Sequence, residues 1–215
     1  MKRTVSLIAV LTLATTLASC GKIAGALVPP QTVENPAGLD GKVLAPSSPL
    51  TIESVRGTVS YSTAGSAFDD LKFPDNIPFG IRPHGVEFQA GFSEAVVMGA
   101  CAAAAPATVA VTLKSLALEV TDAAGKASFS NQPNVTFTLT RSAVAAGSAT
   151  YAVSDTQVSL KATSTESDAF IKTLTEGGAN QASLNATISA DQNSLAGCTM
   201  SFKLRGVKVI LSNFS

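Results

Sequence analysis

The sequence predicts an all-β fold: an antiparallel β-sandwich or flattened barrel of about eight long, bulged strands with one short helix. Three observations predict it. Beyond Leu50, apolar residues recur at every second position, as in Val109, Val111 and Leu113, in Val135, Phe137 and Leu139, in Leu184, Ala186 and Ile188, and in Cys198, Met200, Phe202 and Leu204. This is the pattern of strands with one buried face. Short clusters of turn-forming residues separate the runs, which favours antiparallel neighbours. Only one segment, around Phe170, has clear helical spacing.

The chain opens with Lys2 and Arg3 and then an apolar run from Val5 to Leu17, interrupted only by Ser and Thr. That run is short for a bilayer span, and small residues follow it, so residues 1–19 read as a secretory signal. It closes on Leu17-Ala18-Ser19-Cys20. This ending resembles the lipobox of bacterial lipoproteins: Leu, two small residues, then Cys. The resemblance implies cleavage just before Cys20, diacylglycerol on the Cys20 thiol and, often, a fatty acyl chain such as palmitate on the new amino group. Gly21 and Lys22 follow, without the Asp that tends to retain such proteins in the inner membrane, so the resemblance implies an outer-membrane location in the cell envelope. It stops at Cys20; the rest of the chain carries no family signature.

Residues 20–49 read as the lipidated N-terminus and a flexible tether. Pro29, Pro30, Pro36, Pro46 and Pro49 alternate with Gly21, Gly25, Gly38 and Gly41, and such segments lack an apolar face. Fully stretched, this tether reaches about 90–100 Å. The remaining residues, 50–215, suit a single β domain.

Composition limits the partners. The chain has 46% apolar residues, enough for a sizeable core, and only 14% charged residues. Its 15 Lys plus Arg balance 15 Asp plus Glu. Without Lys2 and Arg3 the balance is 13 against 15, a formal −2. No excess of positive charge directs the protein to nucleic acid or to an anionic membrane surface. The lipid anchor supplies the membrane affinity, at about 0.8 kcal/mol per buried methylene.

Three Cys occur, Cys20, Cys101 and Cys198. With Cys20 acylated and the chain exported to an oxidising compartment, a Cys101–Cys198 disulfide is the default expectation. It closes a loop of roughly 97 residues, for which chain entropy gives on the order of 4–5 kcal/mol.

Four strands carry a change of phase midway. Leu50 and Ile52 shift to Val55, Gly57, Val59 and Tyr61; Val109 to Leu113 shifts to Leu116, Leu118 and Val120; Tyr151 and Val153 shift to Val158, Leu160 and Ala162; and Cys198 to Leu204 shifts across Arg205-Gly206 to Val207, Val209 and Leu211. A one-residue slip sends later side chains to the other face unless a bulge absorbs it, so these strands are expected to bulge and bend. Turns are expected at Asp122–Lys126, Ser130–Pro133, Ala145–Ser148 and Asp191–Ser194. Phe170, Ile171 and Leu174 predict a helix over 166–176, capped by Ser164 or Thr165 and ended by Gly177-Gly178. The segment from Ala95 to Ala107 is ambiguous: Ala favours helix, Gly99 and Pro106 oppose it.

The region from Ser66 to Gly85 interleaves Phe68, Phe73, Ile77, Phe79 and Ile81 with Pro74, Pro78 and Pro83. Pro forbids a central strand there, and an Ω-loop folded onto the sandwich, or a loop that touches a ligand or partner, is expected. Asp69, Asp70, Asp75 and Asn76 supply oxygens but lack the spacing of a calcium loop. His84, the only His, reads as a turn or surface residue, and no paired His or CxxC spacing supports a metal. GxSxG, SxxK, HExxH and phosphate-binding Gly loops are all missing, and the Asn-X-Ser/Thr triplets at Asn134, Asn185 and Asn213 read as chance matches. The expected protein is therefore no enzyme and carries no cofactor. It is a membrane-anchored envelope lipoprotein with a structural or partner-binding β domain. The alternative is a carrier of an apolar ligand, a lipid or pigment, in a β cavity lidded by the Phe68–Ile81 loop.

Overall fold

The computed structural model describes residues 28–45, 51–53, 58–62, 66–68, 81–123, 125–176 and 180–215. Cys20, Phe73, Ile77 and Phe79 lie outside the described residues, as do Asp69, Asp70, Asp75 and Asn76. Among the described residues the strands are β1 (Gln31–Glu34), β2 (Val43–Leu44), β3 (Thr51–Glu53), β4 (Thr58–Ser62), β5 (Ser66–Phe68), β6 (Pro83–Met98), β7 (Thr108–Thr121), β8 (Lys126–Asn131), β9 (Val135–Ala145), β10 (Ser148–Val153), β11 (Gln157–Lys161), β12 (Gln181–Ala190) and β13 (Thr199–Phe214), and an α-helix, α1 (Ser164–Glu176), lies between β11 and β12.

The described strands form a single antiparallel sheet in the order β1-β13-β6-β10-β9-β7-β12-β4-β3. It curls on itself, with the β9–β10 hairpin joining a half built on β6 and β13 to a half built on β7 and β12. Phe92 and Phe202 from the first half meet Phe137 from the second, at ring-centroid distances of 5.6 Å for Phe92–Phe137, 5.3 Å for Phe92–Phe202 and 5.9 Å for Phe137–Phe202. All three are buried. Each buried Phe contributes about 1.5–3 kcal/mol by transfer from water, and each tilted ring pair about 0.5–1.5 kcal/mol more. These rings fill the space between the two halves at this level.

Four strands, β6, β7, β12 and β13, share one device. Each keeps one long neighbour and changes the neighbour on its other side halfway along. β6 pairs with β10 through Glu94–Met98 and with β11 through Glu87–Gly91. β7 pairs with β9 up to Leu113 and with β8 from Leu116. β12 takes β5 and then β4, and β13 takes β2 and then β1. Register shifts sit at the changes in β6, β7 and β13: at Lys114, which β12 skips, at Ser93, which β13 skips, and at Gly206-Val207. A bulge adds local twist, so the neighbouring line of chain splays away and a new strand takes its place.

Two of the four expected phase breaks are therefore bulges, at Lys114-Ser115 and at Gly206-Val207. The other two have different causes. Ile52 and Val59 are partners across the β3–β4 hairpin, so that break is a chain reversal. Val153 and Val158 end and begin two strands, β10 and β11, that line up along the same side of β6 with Ser154–Thr156 between them.

Two further expectations need correction, and one ambiguity is resolved. The folded domain starts before Leu50: β1 and β2, within the supposed tether, pair with β13, and Leu39 and Leu44 are buried in the core. The intervening turn is polar but specific, since Asp40 Oδ1 accepts from Val207 N at 2.7 Å and Asn35 Oδ1 accepts from Asp40 N at 2.8 Å. Pro and Gly here shape an edge instead of freeing a linker. The helix cap is Thr163, not Ser164 or Thr165. Thr163 and Glu166 form a reciprocal capping box, with Glu166 N donating to Thr163 Oγ1 at 3.3 Å and Thr163 N donating to Glu166 Oε2 at 2.8 Å. Finally, Ala95–Met98 end β6, and the Ala-rich remainder forms a short 3-10 turn, Ala100–Ala104.

Helix α1 covers the seam where β11 and β8 approach without pairing, packing on β6, β8 and β7. Ser167 Oγ accepts from Val86 N at 3.2 Å, and Phe170 meets Phe129 edge-on at 5.3 Å. A disulfide joins Cys101 to Cys198, with Cα atoms 5.9 Å apart. It ties the turn after β6 to the start of β13, at the end of the domain that carries the β9–β10 hairpin.

Candidate functional site

The phase break at Arg205-Gly206 shapes the surface of the first half-sheet. Gly206 takes φ +60°, a left-handed conformation that costs Gly little, and the bulge turns Arg205 outward. Across β6, Gly91 lacks a side chain where chain must pass close. A Cβ there would meet the Thr156 carbonyl oxygen at 2.7 Å and the Arg205 carbonyl oxygen at 3.3 Å. On the far side, the β10–β11 interruption supplies Asp155, Thr156 and Gln157. Together these residues line an open groove of about 390 Å³, within the range of small-molecule sites.

The groove is polar. Arg205 Nη2 donates to Asp155 Oδ1 at 2.5 Å, with the two side chains 49% and 95% exposed. At such exposure the pair contributes little to stability. What it does is set two opposite, fork-shaped groups side by side, in a groove that Thr156 and Gln157 also line. The Asn35–Asp40 turn braces the bulge from the other edge of β13 through the Val207 N–H and through Asn35 N, which donates to Val207 O at 2.8 Å.

A second polar cluster lies on β6 and β11. Glu87 Oε1 accepts from Ser159 Oγ at 2.6 Å and Gln89 Nε2 at 2.5 Å, and Lys161 Nζ stands 3.6 Å from Glu87 Oε2. Burial raises the Glu87 pKa, but the two hydrogen bonds and the lysine charge outweigh it and hold the carboxyl below its ordinary value.

His84 is not in a turn; it is the second residue of β6. Its Nδ1–H donates to Asp168 Oδ1 at 2.7 Å, and its Nε2 faces Ser215 Oγ at 2.7 Å. The order Ser, His, Asp is that of a proton relay. The surroundings favour a clasp: Arg82 N donates to Ser215 O and Ser215 N to Arg82 O, both at 3.0 Å, so these two N–H groups are spent on strand pairing and cannot serve an oxyanion. The three side chains join the C-terminal end of β13 to the start of β6 and to α1.

Of the predicted loop residues, Phe68 lies in β5, in register with Ala182, and Ile81 is partly buried against the core. The groove residues were not singled out in the sequence, because they come from three separated segments; the one local signal was the phase break at Arg205-Gly206.

No protein-family model and no curated protein matches this chain. Among solved structures, a carbohydrate-binding module studied for mannan recognition is similar over 75% of this chain and 70% of its own, at 8% identity and a TM-score of 0.28. A structure of the infectious bursal disease virus Gx strain is similar over 87% of this chain and 42% of its own, at 11% identity and a TM-score of 0.22. Likeness this slight carries no argument about function.

Proposed function

We propose that the protein is a lipid-anchored envelope lipoprotein of the outer membrane whose β domain is a non-catalytic, partner-binding module. The observation that carries this reading is the Leu17-Ala18-Ser19-Cys20 ending of the apolar N-terminal segment. The Cys101–Cys198 disulfide supports export to an oxidising compartment. The spent N–H groups beside His84 and Ser215 support a non-catalytic domain. The Phe92, Phe137 and Phe202 cluster favours a packed core over a lipid-filled cavity.

The early start of the fold changes the geometry of anchoring. Val28 already packs against the core. Eight residue steps separate it from Cys20, which span at most about 29 Å when extended. An anchored domain is held close to the membrane surface, not at the end of a long leash. The surface offered to a partner includes the β9–β10 hairpin tip, where residues 141–147 are exposed on both faces, with Met98 and Val144 55% and 51% exposed.

Affinity capture from crosslinked cell envelopes at native abundance tests the reading. A reproducible protein partner, lost in a Met98→Lys, Val144→Lys variant, is the expected result. Capture of no reproducible partner overturns it.

A further inference from the structure

We propose that the groove between the Arg205-Gly206 bulge and the Asp155–Gln157 segment is a binding site for a neutral, polyhydroxylated ligand, the sugar units of a glycan. This goes beyond the partner-binding reading and does not depend on it, since the groove and the β9–β10 hairpin tip share no residue.

The lining excludes most other ligand classes. Its residues are Gly91, Asp155, Thr156, Gln157, Arg205 and Gly206, and none has an apolar side chain apart from the Thr156 methyl. A lipid or pigment finds no wall to displace water from. A peptide taken up by strand addition needs a sheet edge and pockets for alternate side chains; Gly91 is interior to the sheet, between β11 and β13. The two charged groups cancel, so neither a bare anion nor a bare cation is favoured. A hard cation would also meet the Arg205 guanidinium.

The same lining suits hydroxyl groups. A sugar hydroxyl both donates and accepts, and adjacent hydroxyls ask for paired groups of each kind. Arg205 brings several N–H donors in a fixed plane. Asp155, bonded to Arg205 through Oδ1, is 95% exposed and accepts. The Gln157 amide does both. At Gly206 nothing lies within 4 Å of where a Cβ would stand, so a ligand can approach the backbone of the bulge closely. Without an aromatic ring to stack on a sugar face, the affinity of one unit is expected in the millimolar range.

The test uses the full-length protein in a polyoxyethylene detergent, which carries no sugar to compete. Saturation-transfer difference NMR is recorded with glucose, galactose, N-acetylglucosamine and their disaccharides, and with glucuronate and glucose 6-phosphate as charged counterparts. Arg205→Ala, Asp155→Ala and Gln157→Leu alter exposed groove residues, and circular dichroism checks that each variant keeps the fold. The expected result is saturation transfer to at least one neutral saccharide, with affinity weakened about tenfold or more in each of the three variants. Three results overturn the proposal: no transfer to any neutral saccharide at tens of millimolar, transfer that is unchanged in all three variants, or tighter binding of the charged counterparts through Arg205 alone.

Discussion

Gly91 and Thr156 touch where two strands of one half-sheet give way to each other: a Cβ on Gly91 would lie 2.7 Å from the Thr156 carbonyl oxygen. The contact is with backbone, which cannot rotate aside as a side chain can. It is the reason the β10–β11 interruption can lie flat over β6.

Replacing Gly91 with Ala is therefore expected to destabilise the domain by about 1–3 kcal/mol, the usual cost of overpacking. Denaturant unfolding should show a lowered midpoint with an unchanged slope. A midpoint equal to that of the wild type would mean that Thr156 moves freely and that the interruption is soft.

Removing the Cys101–Cys198 bond should have a larger effect. The bond closes a span of 97 residues, and loss of a native disulfide costs about 2–5 kcal/mol. A Cys101→Ser, Cys198→Ser variant and the reduced wild type should melt at similar, lowered temperatures. Two freely alkylated thiols in the oxidised, native protein would count against the bond.

Glu87 makes the stability dependent on pH on the acid side. Its carboxyl is held below the ordinary value of 4.5 by Ser159, Gln89 and Lys161, against the opposing effect of burial. The unfolded chain thus takes up this proton first. The contribution is complete above the ordinary value and disappears as pH falls from 4.5 through the lowered folded value. Glu87→Gln should flatten the stability–pH curve in that window, read by denaturant midpoints at successive pH values; an unchanged curve would mean the cluster stabilises nothing.

Anchoring is tested at Cys20. A Cys20→Ser variant is expected to accumulate as unprocessed precursor, or to leave the membrane fraction, and to incorporate no labelled palmitate. A variant still cut and still sedimenting with membranes would reject the lipoprotein reading.

Much of the architecture was legible in the one-dimensional pattern, because strand faces alternate with a period that nothing else produces. Val109 to Leu113 and Cys198 to Leu204 announced buried strand faces, and their phase breaks announced bulges. The breaks at Ile52 and at Val153 looked the same but were a hairpin and a gap, since a phase change records only that the face switches and not how the chain travels. Val33, Leu39 and Leu44 were too few and too mixed with Pro and Gly to show that residues 31–44 form an edge.

By itself the sequence determined the class of fold, the pairing of Cys101 with Cys198 and the helix around Phe170, each a property of local periodicity or of counting. Only the tertiary structure decided that β6, β7, β12 and β13 exchange neighbours midway, that His84 meets Asp168 and Ser215, and that Gly91, Asp155 and Arg205 share one groove. In the last two groupings the bonded side chains are 50 to 131 positions apart. Residues that far apart meet only through strand register, which the whole set of buried faces sets together and no local stretch encodes.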